Sequence, residues 1–151
     1  MKKEKLLISS CLLGELVKYN GSHNKLDETT IEELKSKFEL FPFCPEVEGG
    51  LPTPRVPCEI ISLNPIKVID KKNNDKTNEF LKGASKALEL CKKNHIKKAL
   101  LKSNSPSCSN QYIYDGTFSS NKIKGVGITV SYLNSINIKI YNEKELNTLL
   151  M

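Results

Sequence analysis

The sequence predicts an α/β protein: one compact domain over 1–151, with a mostly parallel sheet flanked by helices in a Rossmann-like layout. Two observations predict it. Apolar runs with strand character alternate with helix-period stretches along the whole chain, with no internal repeat and no linker. Three of the five cysteines fall where such a run gives way to a loop. In an open parallel sheet that is the end at which ligands bind.

The elements follow in order. A first strand spans 5–10, where Lys5-Leu6-Leu7-Ile8-Ser9-Ser10 runs into Cys11. A loop through Tyr19-Asn20-Gly21 leads to a helix over 27–37, with Asp27 as N-cap and Ile31, Leu34 and Phe38 on one stripe. A second strand precedes Cys44. The stretch 60–69 alternates like a strand, and Pro65 makes it an edge or broken one. A charged turn over 71–75 precedes the strongest helix, 76–94, which is opened by Thr77 and puts Phe80, Leu81, Ala84, Leu88 and Cys91 on its core side. A strand at 97–102 follows at once, with Cys108 a few residues beyond. Tyr114-Asp115-Gly116-Thr117 is a hairpin-type turn. Gly125-Val126-Gly127 opens a helix to about residue 133, 136–141 alternates as a strand, and 143–150 forms a short terminal helix.

A chain of 151 residues can bury a core without disulfides or other staples. At 38% hydrophobic and 26% charged residues it reads as a soluble globular protein rather than a disordered or membrane one. No apolar stretch is long enough to span a bilayer, and the segment after the basic N-terminus is too short for an export signal. A cytoplasmic location is therefore expected, where a disulfide framework is not. The net charge of +6 is nearly all lysine. Without aromatics interleaved among the lysines, it reads first as a solvated surface, and thiolated tRNA stands as the less favoured partner. The molecule is expected to be a monomer or weak oligomer.

Two segments carry the chemistry. The stretch 41–57 holds five of the seven prolines and the only arginine, Arg55. Its prolines predict a stiff, non-helical loop that presents Cys44, Glu46 and Arg55 as a preorganised wall. The second is Lys102-Ser103-Asn104-Ser105-Pro106-Ser107-Cys108, where hydroxyl and amide groups surround a thiol. Three soft thiolates, Cys11, Cys44 and Cys108, converging on one crevice point to an iron–sulfur cluster or a zinc ion. A Cys3His zinc site would draw on His23 or His95, although no local ligand pair marks one. Cys91 belongs to a helix's apolar stripe and Cys58 is left outside the site.

Glu46, two residues past Cys44, is the candidate base or proton shuttle, with Glu48 as substitute. Ser103 is the hydroxyl expected to hold substrate or water, with Ser105 and Ser107 as rivals. Lys102 and Arg55 are placed to stabilise charge on a substrate. Arg55 could equally secure its own loop through a carboxylate such as Glu59.

These blocks resemble a known family. Ser9-x-Cys11-Leu12-Leu13-Gly14, Cys44-Pro45-Glu46-Val47-x-Gly49-Gly50-Leu51-Pro52-Thr53-Pro54-Arg55 and Lys102-Ser103-x-Ser105-Pro106-Ser107-Cys108 look like the motifs of the thiouracil desulfidase family, and the later Ile113-Tyr114-Asp115-Gly116 and Gly125-Val126-Gly127 match as well. Ser109 and Cys58 are small departures from its pattern. The resemblance implies a [4Fe-4S] cluster held by Cys11, Cys44 and Cys108. It also implies redox-neutral desulfuration of a 2-thiouracil-like base to uracil and hydrogen sulfide, with the substrate's sulfur on the iron that lacks a protein thiolate. The other readings are action on, or binding of, thiolated tRNA, and a metal-binding protein without catalysis.

Overall fold

The computed structural model describes residues 2–151. Four parallel strands form its main sheet in the order β2-β1-β5-β8: β1 (Glu4–Ser9), β2 (Phe38–Phe43), β5 (Lys98–Leu101) and β8 (Lys139–Asn142). Both faces are covered, so the strands read as near-continuous apolar runs. Successive residues then serve opposite layers. Leu7, Ala99 and Leu101 pack beneath α3 (Thr77–Asn94) and α4 (Ile128–Asn134) with Ala87, Cys91, Val130 and Leu133. Leu6, Ile8 and Leu100 face α1 (Glu28–Lys37) and α5 (Leu146–Leu150) through Leu34 and Leu149.

The chain leaves β1 to one side for β2 and crosses to the other for β5, so connections diverge at the carboxyl end of β1. That divergence opens a crevice above the sheet. The parallel α/β architecture is the one the sequence predicts. Asp27 caps α1 as expected, its side chain accepting from the Thr30 N–H at 2.7 Å. No helix among the described residues is long and apolar enough to cross a membrane.

Five local expectations need correction. The stretch 60–69 is not one broken strand but an antiparallel hairpin of β3 (Cys58–Leu63) and β4 (Ile66–Asp70), with Asn64-Pro65 as its turn. The stretch 41–57 is not wholly non-helical: α2 (Pro45–Glu48) forms one turn with proline at its first position. There the missing N–H is no loss and the fixed φ favours the helix. Asp115-Gly116 begins a longer loop, 115–121, that joins β6 (Tyr112–Tyr114) to β7 (Lys122–Lys124). The last strand starts at 139 rather than 136, because a tight turn first tucks Ile138 into the core. The final helix starts at 146, which frees residue 143 for the site described next.

Candidate active site

The carboxyl ends of β1, β2 and β5 open onto one cavity of about 460 Å³, lined by Cys11, Cys44, Cys108, Glu46, Lys102 and Ser103 among others. Cys11 lies on the 3-10 turn (Ser10–Leu13) that continues β1, Cys44 caps α2, and Cys108 sits in the loop between β5 and β6. All three thiols are free. The cavity therefore brings together every residue singled out as a thiolate ligand, together with Arg55 and Ser105.

Two close backbone approaches seat the thiols. A Cβ on Gly83 of α3 would lie 1.9 Å from the Pro45 carbonyl, and one on Gly127 would lie 2.4 Å from the Ser107 carbonyl carbon. Only glycine lets α2 and the Cys108 loop press so near their supports. The start of α4 also captures that loop's carbonyls: Ile128 N–H donates to Pro106 O at 2.9 Å and Thr129 N–H to Ser107 O at 3.0 Å.

Two of the three sulfurs have a side-chain hydrogen-bond partner. Asn24 Nδ2 donates to Cys11 Sγ at 3.5 Å, and Ser107 Oγ lies 3.6 Å from Cys108 Sγ. Cys44 stands at the N-cap of α2, where its side chain makes no capping bond. Burial nevertheless pushes all three thiols up, Cys108 to about 12, against the opposing pull of these donors. Soft, buried thiols that resist ionising alone, with polar partners at two of the three, are a donor set suited to an iron–sulfur group. The thiols surround the cavity rather than meeting at a point: among the described residues no three Cys, His, Asp or Glu side chains come together as a single ion requires. His23 and His95 are both exposed and away from the cavity lining, so neither supplies the fourth ligand of a zinc site.

Glu46 is held on both oxygens. Arg55 Nε donates to Oε1 at 3.2 Å, and Ser107 Oγ donates to Oε2 at 3.0 Å, with Ser105 Oγ at 3.5 Å. Arg55 has little left for a ligand: its remaining nitrogens donate to Val17 O, Pro52 O and Thr53 Oγ1 at 3.0, 3.3 and 3.2 Å. Its loop-securing carboxylate is Glu46 and not Glu59, which instead accepts the Gly116 and Phe118 N–H groups and anchors the 115–121 loop beside the cavity. Ser105 Oγ accepts from the N–H groups of Ser107 and Cys108, both at 3.1 Å, and so shapes the thiol loop from within. Glu48 does not line the cavity, whereas Cys58 does, as a fourth and outer thiol.

Sequence reasoning missed Asn24 and Glu143. Glu143 directly follows β8, the fourth strand, and its carboxylate accepts Ser103 N–H at 2.8 Å, Ser103 Oγ at 2.8 Å and Lys102 Nζ at 3.0 Å. Burial works to raise its carboxyl, and these bonds outweigh burial to hold it below the usual carboxylate value. The rule that located the cysteines, a chemical group just past a strand end, would have found it.

Comparison with known proteins identifies the family. The family model described as 2-thiouracil desulfurase matches residues 6–145. The protein YbbK of Bacillus subtilis (strain 168), described as uncharacterized, is 39% identical over 152 residues, covering 96% of this chain and 99% of its own length. A solved structure, the [4Fe-4S]-dependent thiouracil desulfidase TudS, superposes with a TM-score of 0.90 at 39% identity, covering 97% of this chain and 95% of that one. The chain belongs to the 2-thiouracil desulfurase family.

Proposed function

We propose that this protein is a [4Fe-4S]-dependent desulfidase that converts a thiolated pyrimidine base to its oxo form and hydrogen sulfide, with Cys11, Cys44 and Cys108 holding the cluster. The observation that carries it is the meeting of these three strand-end thiols with a doubly held carboxylate, Glu46, on one cavity. The family and the related TudS structure point the same way. When bound by three protein thiolates, such a cluster supplies one thiophilic Lewis-acidic iron, which polarises a thiocarbonyl carbon.

The chain's own residues supply the rest. Replacing C=S by C=O with water yields hydrogen sulfide with no net electron transfer, so the protein must chiefly position water and move its protons. Glu46 is the group that takes a proton from water. Arg55 fixes one of its oxygens, and the Ser107 and Ser105 hydroxyls offer a path from the other. Lys102, also on the cavity lining, brings positive charge to balance the negative charge that builds during attack. Arg55, with its donors already engaged, serves through Glu46 rather than by touching substrate.

Sulfide release from 2-thiouracil and 4-thiouracil, by anaerobically reconstituted protein beside cluster-free protein, tests the proposal. Release by the loaded protein alone is the expected result. An intact cluster with no release from either base, but release from thiolated tRNA, would move the substrate to RNA. No release from any thiocarbonyl compound would end the enzymatic reading.

A further inference from the structure

Three charged or polar groups meet at the junction of β5 and β8. Lys102 Nζ lies 3.2 Å from Ser103 Oγ and 3.0 Å from Glu143 Oε2, and Ser103 Oγ lies 2.8 Å from that same Oε2. The direction of the hydroxyl proton follows by elimination. An ammonium can only donate, and an ionised carboxylate can only accept. Ser103 must therefore give its proton to Glu143 and take one from Lys102. Of its two lone pairs one remains, and Ser103 lines the cavity. Towards the cavity this serine is an acceptor and has no proton to offer.

We infer that Glu143 is a positioning residue that fixes Ser103 as a hydrogen-bond acceptor for the attacking water. The inference rests on the desulfidase reading and deepens it. Water held by Ser103 donates one hydrogen to Oγ and is left free to lose the other to Glu46, while the Lys102 ammonium favours the hydroxide that forms. Glu143 itself is absent from the cavity lining and acts only through Ser103 and Lys102. Its second oxygen holds the Ser103 N–H at 2.8 Å, so the residue's backbone and hydroxyl are set by one carboxylate.

Glu143→Gln changes the sense of this arrangement with almost no change of shape. The amide keeps only one of the carboxylate's two acceptor atoms. Placed at Oε2, its NH2 meets the Lys102 and Ser103 donors and turns the Ser103 hydroxyl proton towards the cavity; placed at Oε1 it meets the Ser103 N–H, so neither orientation preserves the acceptor frame. In reconstituted holoprotein, Glu143→Gln is expected to keep its iron content, visible spectrum and uracil affinity. Its kcat should fall about 10- to 100-fold with KM little changed. Glu143→Asp, which keeps the acceptor, should recover part of the loss. In a Ser103→Ala background the Glu143→Gln change should cost almost nothing further, since coupled residues are non-additive.

Additive losses, or a Glu143→Gln enzyme with wild-type kcat, would overturn the inference while leaving the desulfidase reading intact. Wild-type holoprotein without sulfide release would instead remove the reading beneath it. Should Glu143→Gln fail to retain iron, the same cycle run with Glu143→Asp decides, by whether its loss vanishes in the Ser103→Ala background.

Discussion

The wall that follows β2 carries its thiol, carboxylate and arginine within one short segment, since Cys44, Glu46 and Arg55 all belong to the proline-rich stretch. The wall that follows β5 carries Cys108, Ser103 and Lys102, but draws its carboxylate from Glu143, 40 residues beyond Ser103. The first is held by local chain stiffness and a half-buried ion pair, with Arg55 and Glu46 side chains 6% and 14% exposed. The second is held by the register of β8 against β5 and by a more open pair, Lys102 and Glu143 at 27% and 16%. A site can thus be half preorganised by sequence-local geometry and half by the sheet itself.

The largest effects should ignore this contrast. Alanine at Cys11, Cys44 or Cys108 is expected to abolish cluster binding each time, read as loss of iron and of visible absorption after anaerobic reconstitution. A variant that kept a full complement of iron would remove that cysteine from the ligand set. Next comes Glu46→Gln, expected to keep the cluster and lose about 10²- to 10⁴-fold in turnover. Full activity there would transfer the base function to the other wall.

The contrast itself is sharpened by the two cations. Arg55→Ala removes a half-buried pair together with the guanidinium's bonds to Val17 O, Pro52 O and Thr53 Oγ1, and should cost about 1–3 kcal/mol of stability in cluster-free protein. Lys102→Ala opens a pair closer to water and should cost about 1 kcal/mol or less. Equal denaturation midpoints for the two variants would show that the walls are held alike.

The smallest expected effect is one of pH. Burial pushes Cys108 and Cys58 up to about 12 and Cys91 to about 11, above their ordinary value of 9.0. Folding therefore tightens these thiol protons. The stability they contribute is intact below about pH 9 and is lost as pH rises towards 11 to 12. Loading the cluster removes the Cys108 proton and with it that share, while Cys91, remote in the core, keeps its own. Urea midpoints at neutral and alkaline pH should accordingly differ less for loaded than for cluster-free protein.

Much of this was legible in the sequence, for physical reasons that also explain the gaps. Buried parallel strands announce themselves as apolar runs, so the strand-end positions of Cys11, Cys44 and Cys108 could be read directly. The Glu46–Arg55 wall was half read: its residues were identified, but Glu59 stood in for Glu46 as the partner, because distance along a proline-rich loop does not reveal which carboxylate turns inward. Pro45 was read as a helix breaker where its position at the first turn makes it a helix starter. Glu143 was hidden by a strand end misjudged by one residue, and by a side chain whose partners are set only by β8 lying beside β5. Asn24 was hidden because its amide reaches Cys11 only after the loop folds back, with Asn24 N–H bonded to Cys11 O at 2.9 Å.

No two of Cys11, Cys44 and Cys108 are near neighbours in the chain; each follows a different strand of the sheet. During synthesis β1 and β2 emerge early, but Cys108 is brought alongside only when β5, the third strand of the main sheet to be made, docks against β1. A nascent or misassembled chain has no local cysteine pair with which to start gathering iron. Metal acquisition by the proposed centre then waits on the docking of β5 against β1, and iron retained by the protein reports that these two strands have met.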